Sequence, residues 1–535
     1  MPEHDYVSCF PYPKMREQQK IAIEFILNAF ESGKRFVVLQ APTGIGKSLI
    51  GLTVARYLNK YSQSSSAYLL TTQKILQDQY ERDFGQRSLK MLRSLKSSSN
   101  YRCEIHTDQT CGESRRVLAA LGETLEGTEF YNHCKFQCNY IREKRAFLGC
   151  AVGTTNFSYF LAETRYAGAL QPRDLLVIDE AHAVEEQLSK FIEISFSERF
   201  STEINCEFPT QHDDEHVFNW VKIDYKNALT KRINGVIARI NESVDKDSKE
   251  FLSLSKHLEK LDKHICKVNR FIDEFNPENW ILNIIEASDK KKRHIEFKPI
   301  DVSSFSEECL FKFGEKVLLM SATIVDKDVF CRTVGINPEQ TEYLDMPSPF
   351  HSDKKPLYYL PVGSMAKKTI DVTLPVLSET IKLLLEQHKS EKGIIHTQSF
   401  KIVEHIKKTV KSKRLLFHST DDRDIVLQQH LASKKPTVIV SPSMSEGVDL
   451  ANDASRFQIV CKLPFPYLGD KLVVKRMNRD KMWYAYQTAK TLIQSLGRSV
   501  RNENDYAISY ILDSDFDNFY KKNKHLFPDD IYPRR

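Results

Sequence analysis

The stretch FVVLQAPTGIGKS, Phe36 to Ser48, constrains this chain more than any other. Phe36 to Gln40 form a near-continuous apolar run, the pattern of a strand buried on both faces. A turn with Gly44 and Gly46 follows, and Lys47-Ser48 open a helical pattern, LIGLTVARYL. Strand, glycine turn, Lys-Ser and helix in that order are the context a phosphate-binding loop needs, and they argue against a coincidental turn. Glycines let the backbone curl until several N–H groups point at one anion. The helix N-terminus adds its partial positive charge. Lys47 then reaches the β- and γ-phosphates, and the Ser48 hydroxyl is placed to ligate Mg²⁺. Thr43, Gly44, Gly46, Lys47 and Ser48 are the nucleotide-binding candidates here. Where the common pattern opens with glycine, this chain has Ala41.

A loop of this kind needs a metal-holding acid on a neighbouring strand. DLLVIDEAH, Asp174 to His182, supplies an apolar strand ending in two acids. Asp179 is the candidate metal holder, Glu180 the group that orients or deprotonates an attacking water, and His182 closes the run. Upstream, FPYPKMREQQ at 10–19 places aromatics, Arg16 and Gln19 ahead of the helical run IAIEFILNAF. It reads either as a loop capping a helix or as an adenine clamp. AYLLTTQ brings Thr71, Thr72 and Gln73 to the carboxyl end of a second strand, where open α/β sheets bind ligands and where short polar side chains suit phosphate backbones. A helix cap by Thr72 fits the same residues.

Two segments break the strand–helix rhythm. Between 85 and 149 lie Cys103, Cys111, Cys134 and Cys138, with 7, 22 and 3 residues between them. The chain has eleven cysteines, an odd number, and no basic-then-apolar leader, so clustering favours a metal site over disulfides. Thiolates select zinc or iron–sulfur clusters, and these gaps do not match paired zinc-ribbon spacings. Cys150, opening the apolar run CAVGT, reads as core. From about 191 to 300 the strand pattern disappears. Phe251, Leu254, Leu258, Leu261, Ile265, Val268, Ile272 and Phe275 form a heptad seam, and Leu229, Ile233, Val236 and Ile240 a shorter partner, predicting a helical hairpin. KVLLMSAT, 316–323, returns to the sheet, and MPSPFHSDKKP, 346–356, links to a second half whose strands again alternate with helices. SPSMSEGVDL, 441–450, puts Glu446, Gly447 and Asp449 at a strand end. QSLGRSVR, 494–501, sets Gln494, Arg498 and Arg501 on one helix face, either as a solvated basic face or as arginine fingers for a γ-phosphate. At 535 residues the chain has room for three or four domains. No apolar run approaches the ~20 residues of a membrane span. The net charge of +6 permits nucleic-acid binding without arguing for it.

Taken in order, FPY…R..Q, APTGIGKS, TTQKILQDQ, DEAH, MSAT, HTQS, EGVDL, KLPFP and QSLGRSVR resemble the XPD/DinG branch of superfamily 2 helicases over the whole chain. NYRC and CNY resemble the edges of that family's cluster domain, although the cysteine gaps match neither branch. The resemblance implies two RecA-like parallel-sheet motor domains with an inserted cysteine-rich Fe–S subdomain and an inserted helical arch. The expected boundaries are motor domain 1 at 1–98, 149–190 and 306–346, the Fe–S subdomain at 99–148, the arch at 191–305 and motor domain 2 at 347–535. It implies an ATP hydrolase and DNA helicase using ATP, Mg²⁺ and a 4Fe–4S cluster on the four cysteines. Its partners would be single-stranded DNA and forked duplex DNA, with 5′ to 3′ movement and a role in repair, replication or recombination. Arg16, Gln19, Asp179, His182 and Gln494 join the loop residues around ATP, with Glu180, Arg498 and Arg501 catalytic. A monomer in the cytoplasm of a prokaryotic, viral or archaeal setting, off any membrane, completes the expectation.

Overall fold

The computed structural model describes residues 5–61, 66–72, 74–86, 88–121, 125–168, 170–242, 249–287, 293–348, 352–419, 421–444, 450, 452–497, 500 and 505–534. Two compact units emerge: Met1–Val38, Ser48–Met320 and Cys331–Glu342 in one, and Leu39–Lys47, Ser321–Phe330 and Tyr343–Arg535 in the other.

The first sheet is built from β1 (Phe36–Gln40), β2 (Ala67–Thr71), β3 (Arg93–Ser94), β4 (Val152–Asn156), β5 (Arg173–Asp179), β9 (Gly314–Ser321) and β10 (Thr341–Asp345). Its order is β10-β1-β9-β5-β2-β4-β3. The pairs β2–β4, β2–β5, β3–β4 and β5–β9 are parallel. Every residue of β1, β2 and β4 is buried, because parallel strands carry helices on both faces. Helices α1 (Glu17–Glu31), α2 (Lys47–Tyr61) and α3 (Lys74–Phe84) belong to this layer. Gly51 lets α2 press on the sheet: a Cβ there would come within 2.9 Å of Val177 on β5 and Met320 on β9.

The cysteine-rich insertion is helical, with α4 (Cys111–Leu121) and α5 (Asn139–Leu148). The second insertion contains the expected hairpin, α6 (Lys226–Glu242) and α7 (Lys249–Glu274). Leu229, Ile233, Val236 and Ile240 on α6 and Phe251, Leu254, Leu258, Leu261 and Val268 on α7 are buried, so the seam packs as the heptads predict. Near its C-terminal end the buried face drifts to Phe271, as an unsupercoiled helix does. The expectation that strands vanish here is corrected. β6 (Ile194–Ser197), β7 (Trp280–Ile285) and β8 (His294–Pro299) form an antiparallel sheet in the order β6-β8-β7. β8 alternates half-buried with buried residues, the period of a strand with one face on the core. The two insertions touch: Arg116 on α4 pairs with Asp262 on α7 at 3.6 Å, and Lys256 with Glu113 at 3.5 Å.

The second unit carries its own sheet, from β11 (Leu357–Gly363), β12 (Gly393–His396), β13 (Leu415–Phe417), β14 (Val438–Ser441), β15 (Phe457–Val460), β16 (Ile508–Asp513) and β17 (Pro533–Arg534). The order is β13-β14-β12-β15-β16-β11-β17, with parallel pairing throughout. Apolar clusters cover both faces, one including Leu377, Ile381, Ile395 and Ile406, the other Leu463, Leu492, Ile511 and Phe516. Helix α8 (Lys481–Leu496) supplies Leu492 and Gln494 and ends inside the QSLGRSVR motif, so the expected single helix face reaches only Gln494 among the described residues.

Candidate nucleotide site and cysteine cluster

The phosphate-loop candidate has the backbone the glycines predict. Gly44 and Gly46 sit at φ +88° and +90°, a region closed to most side chains. Lys47 Nζ donates to the Ala41 carbonyl at 3.2 Å, so the ammonium lies along the loop it belongs to. Thr43 is half-buried beside Gly44.

On the metal side, α2 presents Ser48 and the carboxyl end of β5 presents Asp179. Asp179 is buried, and both its oxygens are engaged. Oδ1 accepts the Glu180 backbone N–H at 3.0 Å, and Oδ2 accepts the Tyr80 hydroxyl at 3.0 Å. Tyr80, on α3, is buried, with Ser48 beside it. Burial first, then the Asp179 carboxylate, hold its phenol well above the usual range, so it stays an O–H donor. Glu180 lies in the left-handed region at φ +55°, ψ +47°, which costs a side-chain-bearing residue about 1–2 kcal/mol. That backbone turns Glu180 out of the strand line, with its Oε2 3.3 Å from His182 Nδ1. The Ser48 hydroxyl and the Asp179 carboxylate are hard oxygen donors, and they fit Mg²⁺.

Gln19 is buried, and its Oε1 accepts the Arg16 N–H at 3.0 Å, so the two residues of the adenine-clamp motif meet at the start of α1. Beside them Tyr12 is exposed. Its ring lies 6.4 Å from Phe10 and 6.4 Å from Phe84, and Phe84 packs edge-on against Tyr80 at 6.0 Å. In the second unit, Gln494 is buried and donates to the Thr323 hydroxyl at 3.1 Å. Arg498, Arg501, Glu446, Gly447, Asp449 and Gln73 lie outside the described residues.

All four predicted cysteines are buried and converge. Cys111 and Cys138 Sγ atoms are 3.8 Å apart, and Cys103 and Cys134 share a hydrogen bond. That bond, with further ones from Ser114 and the His106 and Ile105 N–H groups, pulls the Cys103 thiol down to about 5 against the cost of burial. The same pairing pushes Cys134 well up, and burial with Cys138 alongside raises Cys111 to about 12. Among the described residues no three His, Cys, Asp or Glu side chains stand ready round a single ion. Four buried cysteines drawn together are nonetheless the donor set a soft metal centre takes. Cys150 is half-buried just before β4, not within it, and donates to the Phe147 carbonyl at 3.0 Å.

Two parallel sheets, with a glycine loop and the Asp179-Glu180 strand end on the first, are the arrangement against which known proteins can be compared. Residues 382–534 match the helicase C-terminal domain model, and residues 12–208 match that of the type III restriction enzyme res subunit. A probable ATP-dependent helicase of Methanocaldococcus jannaschii is 23% identical, over 95% of this chain and 92% of its own length. The ATP-dependent DNA helicase DinG of Photobacterium profundum is 26% identical, over 45% of this chain and 36% of its own. An XPD helicase structure superposes with TM-score 0.63 at 17% identity, covering 96% of this chain and 98% of that one. S. tokodaii Xpd4 does so at 0.57 and 15%, covering 97% and 100%. The chain is thus similar to XPD/DinG-like helicases.

Proposed function

We propose that this chain is an ATP-dependent DNA helicase that moves 5′ to 3′ on single-stranded DNA and opens forked duplexes, in repair, replication or recombination. One observation carries the ATP half: Asp179 is held at both oxygens, by the buried Tyr80 hydroxyl and by the N–H of Glu180, which is turned out beside it. The DNA half is supported by the similarity to DNA helicases such as DinG, and the polarity by the family resemblance alone.

Gly44, Gly46 and Thr43 would wrap the phosphates while Lys47 meets the β- and γ-groups. Arg16 and Gln19, with Tyr12, would hold the adenine. Mg²⁺ on Ser48 and Asp179 would neutralise charge on the bridging phosphate oxygens. Glu180 accepts the proton of the attacking water, and His182 fixes its carboxylate. Gln494, Arg498 and Arg501 complete the site from motor domain 2, tying hydrolysis to domain motion. Cys103, Cys111, Cys134 and Cys138 would hold a 4Fe–4S cluster whose part is to stiffen the subdomain at 99–148 as a wedge. The motor domains are 1–98 with 149–190 and 306–346, and 347–535; the arch is 191–305. The protein acts as a monomer in the cytoplasm of a prokaryotic, viral or archaeal setting. Among the described residues no helix is long and apolar enough to cross a membrane.

The test is ATP hydrolysis with and without single-stranded DNA or RNA, followed by strand displacement on forks with a single 5′ or 3′ tail. DNA-stimulated hydrolysis and opening of the 5′-tailed fork are expected. Stimulation by RNA alone overturns the substrate, and opening of only the 3′-tailed fork overturns the polarity. Movement on single strands without displacement would make the protein a translocase.

A further inference from the structure

Tyr80 stands in a run, LQDQY, that reads as an ordinary amphipathic helix, and a buried tyrosine there is first of all a core residue. Its hydroxyl does more than fill space. It donates to Asp179 Oδ2 at 3.0 Å, and Ser48 lies beside it, so the phenol stands against both candidate metal-holding groups. We propose that Tyr80 is a positioning residue for the Mg²⁺ of Mg-ATP, resting on the assignment of Ser48 and Asp179 to that metal.

A serine hydroxyl has one proton and two lone pairs. The lone pairs of the Ser48 hydroxyl are what a cation would use. Asp179 is pinned at both oxygens, by the Glu180 N–H and by Tyr80, so its carboxylate plane is fixed before metal arrives. The phenol itself cannot swing. It is 2% exposed, and Phe84 packs edge-on against its ring. Groups that orient metal ligands in this way are worth about 10–100-fold in metal affinity. Tyr80 also sits on α3, the helix that follows Thr71 and Thr72 at the end of β2, so the metal's seat is fastened to the element leading from that strand end.

The experiment titrates Mn²⁺, a spin-active stand-in for Mg²⁺, into the full-length protein with ADP, followed by electron paramagnetic resonance. Wild type, Asp179→Asn and Tyr80→Phe are compared. Tyr80→Phe should raise half-saturating Mn²⁺ by about 10–100-fold, leave metal-free ADP binding unchanged, and recover its hydrolysis rate at high Mg²⁺. A lowered unfolding midpoint with unchanged Mn²⁺ affinity would make Tyr80 merely structural and overturn the proposal. If wild type and Asp179→Asn bind Mn²⁺ alike, the metal site itself is misassigned, a different failure. Should Tyr80→Phe not fold, Phe84→Leu loosens the ring while keeping its hydroxyl. A rise of a few-fold in half-saturating Mn²⁺ supports the role, and no rise overturns it.

Discussion

Glu180 spends backbone strain where the chemistry is proposed, a pattern expected of functional positions. Glu180→Gln keeps the shape and the φ of the residue but cannot take a proton. Hydrolysis should fall by about 10²–10⁴-fold with nucleotide still bound, read by single-turnover hydrolysis beside fluorescent-nucleotide binding. Loss of nucleotide binding as well would assign Glu180 a structural part. At this scale the sequence was legible in placement: Lys47 and Ser48 open a helix after the glycine turn, Asp179 ends a buried strand, and the four cysteines are buried. It was silent on Tyr80 and Tyr12. Nothing in LQDQY separates a phenol aimed at a carboxylate from one aimed at leucines, because the aim depends on how α3 packs against β5. The left-handed Glu180 was equally hidden, since glutamate carries no signal for positive φ.

Elements were legible through their periods. Five-residue apolar runs became buried strands, and the heptads became α6 and α7. β6, β7 and β8 were missed because a short antiparallel sheet beside two long helices has too few alternations to stand out. The convergence of the cysteines leads to a prediction for their insertion. Protein purified without oxygen should be brown, with about four iron and four sulfide per chain. Cys134→Ser should lose the colour and unwinding but keep much of the hydrolysis, whereas Cys150→Ser should change neither. A colourless protein with stoichiometric zinc would refute the cluster. The second insertion titrates. On α7, burial pushes the His264 imidazole down to about 4, and its Nε2 meets the Tyr225 hydroxyl at 2.8 Å. The unfolded chain, with a value near 6.5, therefore binds the proton first. Stability from the neutral ring is whole above about pH 6.5 and drains away as pH falls towards 4, by at most about 3 kcal/mol. Trp220 and Trp280 both ring Phe196 or Phe271 in this core and should report it. Urea unfolding followed by their fluorescence should weaken between pH 7 and 4.5, and His264→Phe should flatten that slope. An equal slope in the variant would place the acid sensitivity elsewhere.

At the scale of the whole molecule, the doubling of the parallel sheet was legible from alternating strands and helices, and the order of motifs along the chain is what linked the two halves. If Arg501 acts as the proposed arginine finger, Arg501→Ala slows turnover by up to about 10³-fold with little loss of nucleotide affinity. Unchanged turnover would remove it from the site. The strand order has a consequence for synthesis. β9 lies between β1 and β5, yet it follows β5 only after both the hairpin and the small antiparallel sheet have been made. At about 5–20 residues per second, a ribosome needs on the order of ten seconds to cross that interval. Throughout it the nascent chain carries a sheet with an interior strand absent and two apolar edges open to pairing with anything nearby. A chain stopped at residue 313 should therefore aggregate or stay bound to chaperones, while one stopped at 346 should remain dispersed in ultracentrifugation. In the living cell this protein is most at risk before it is finished.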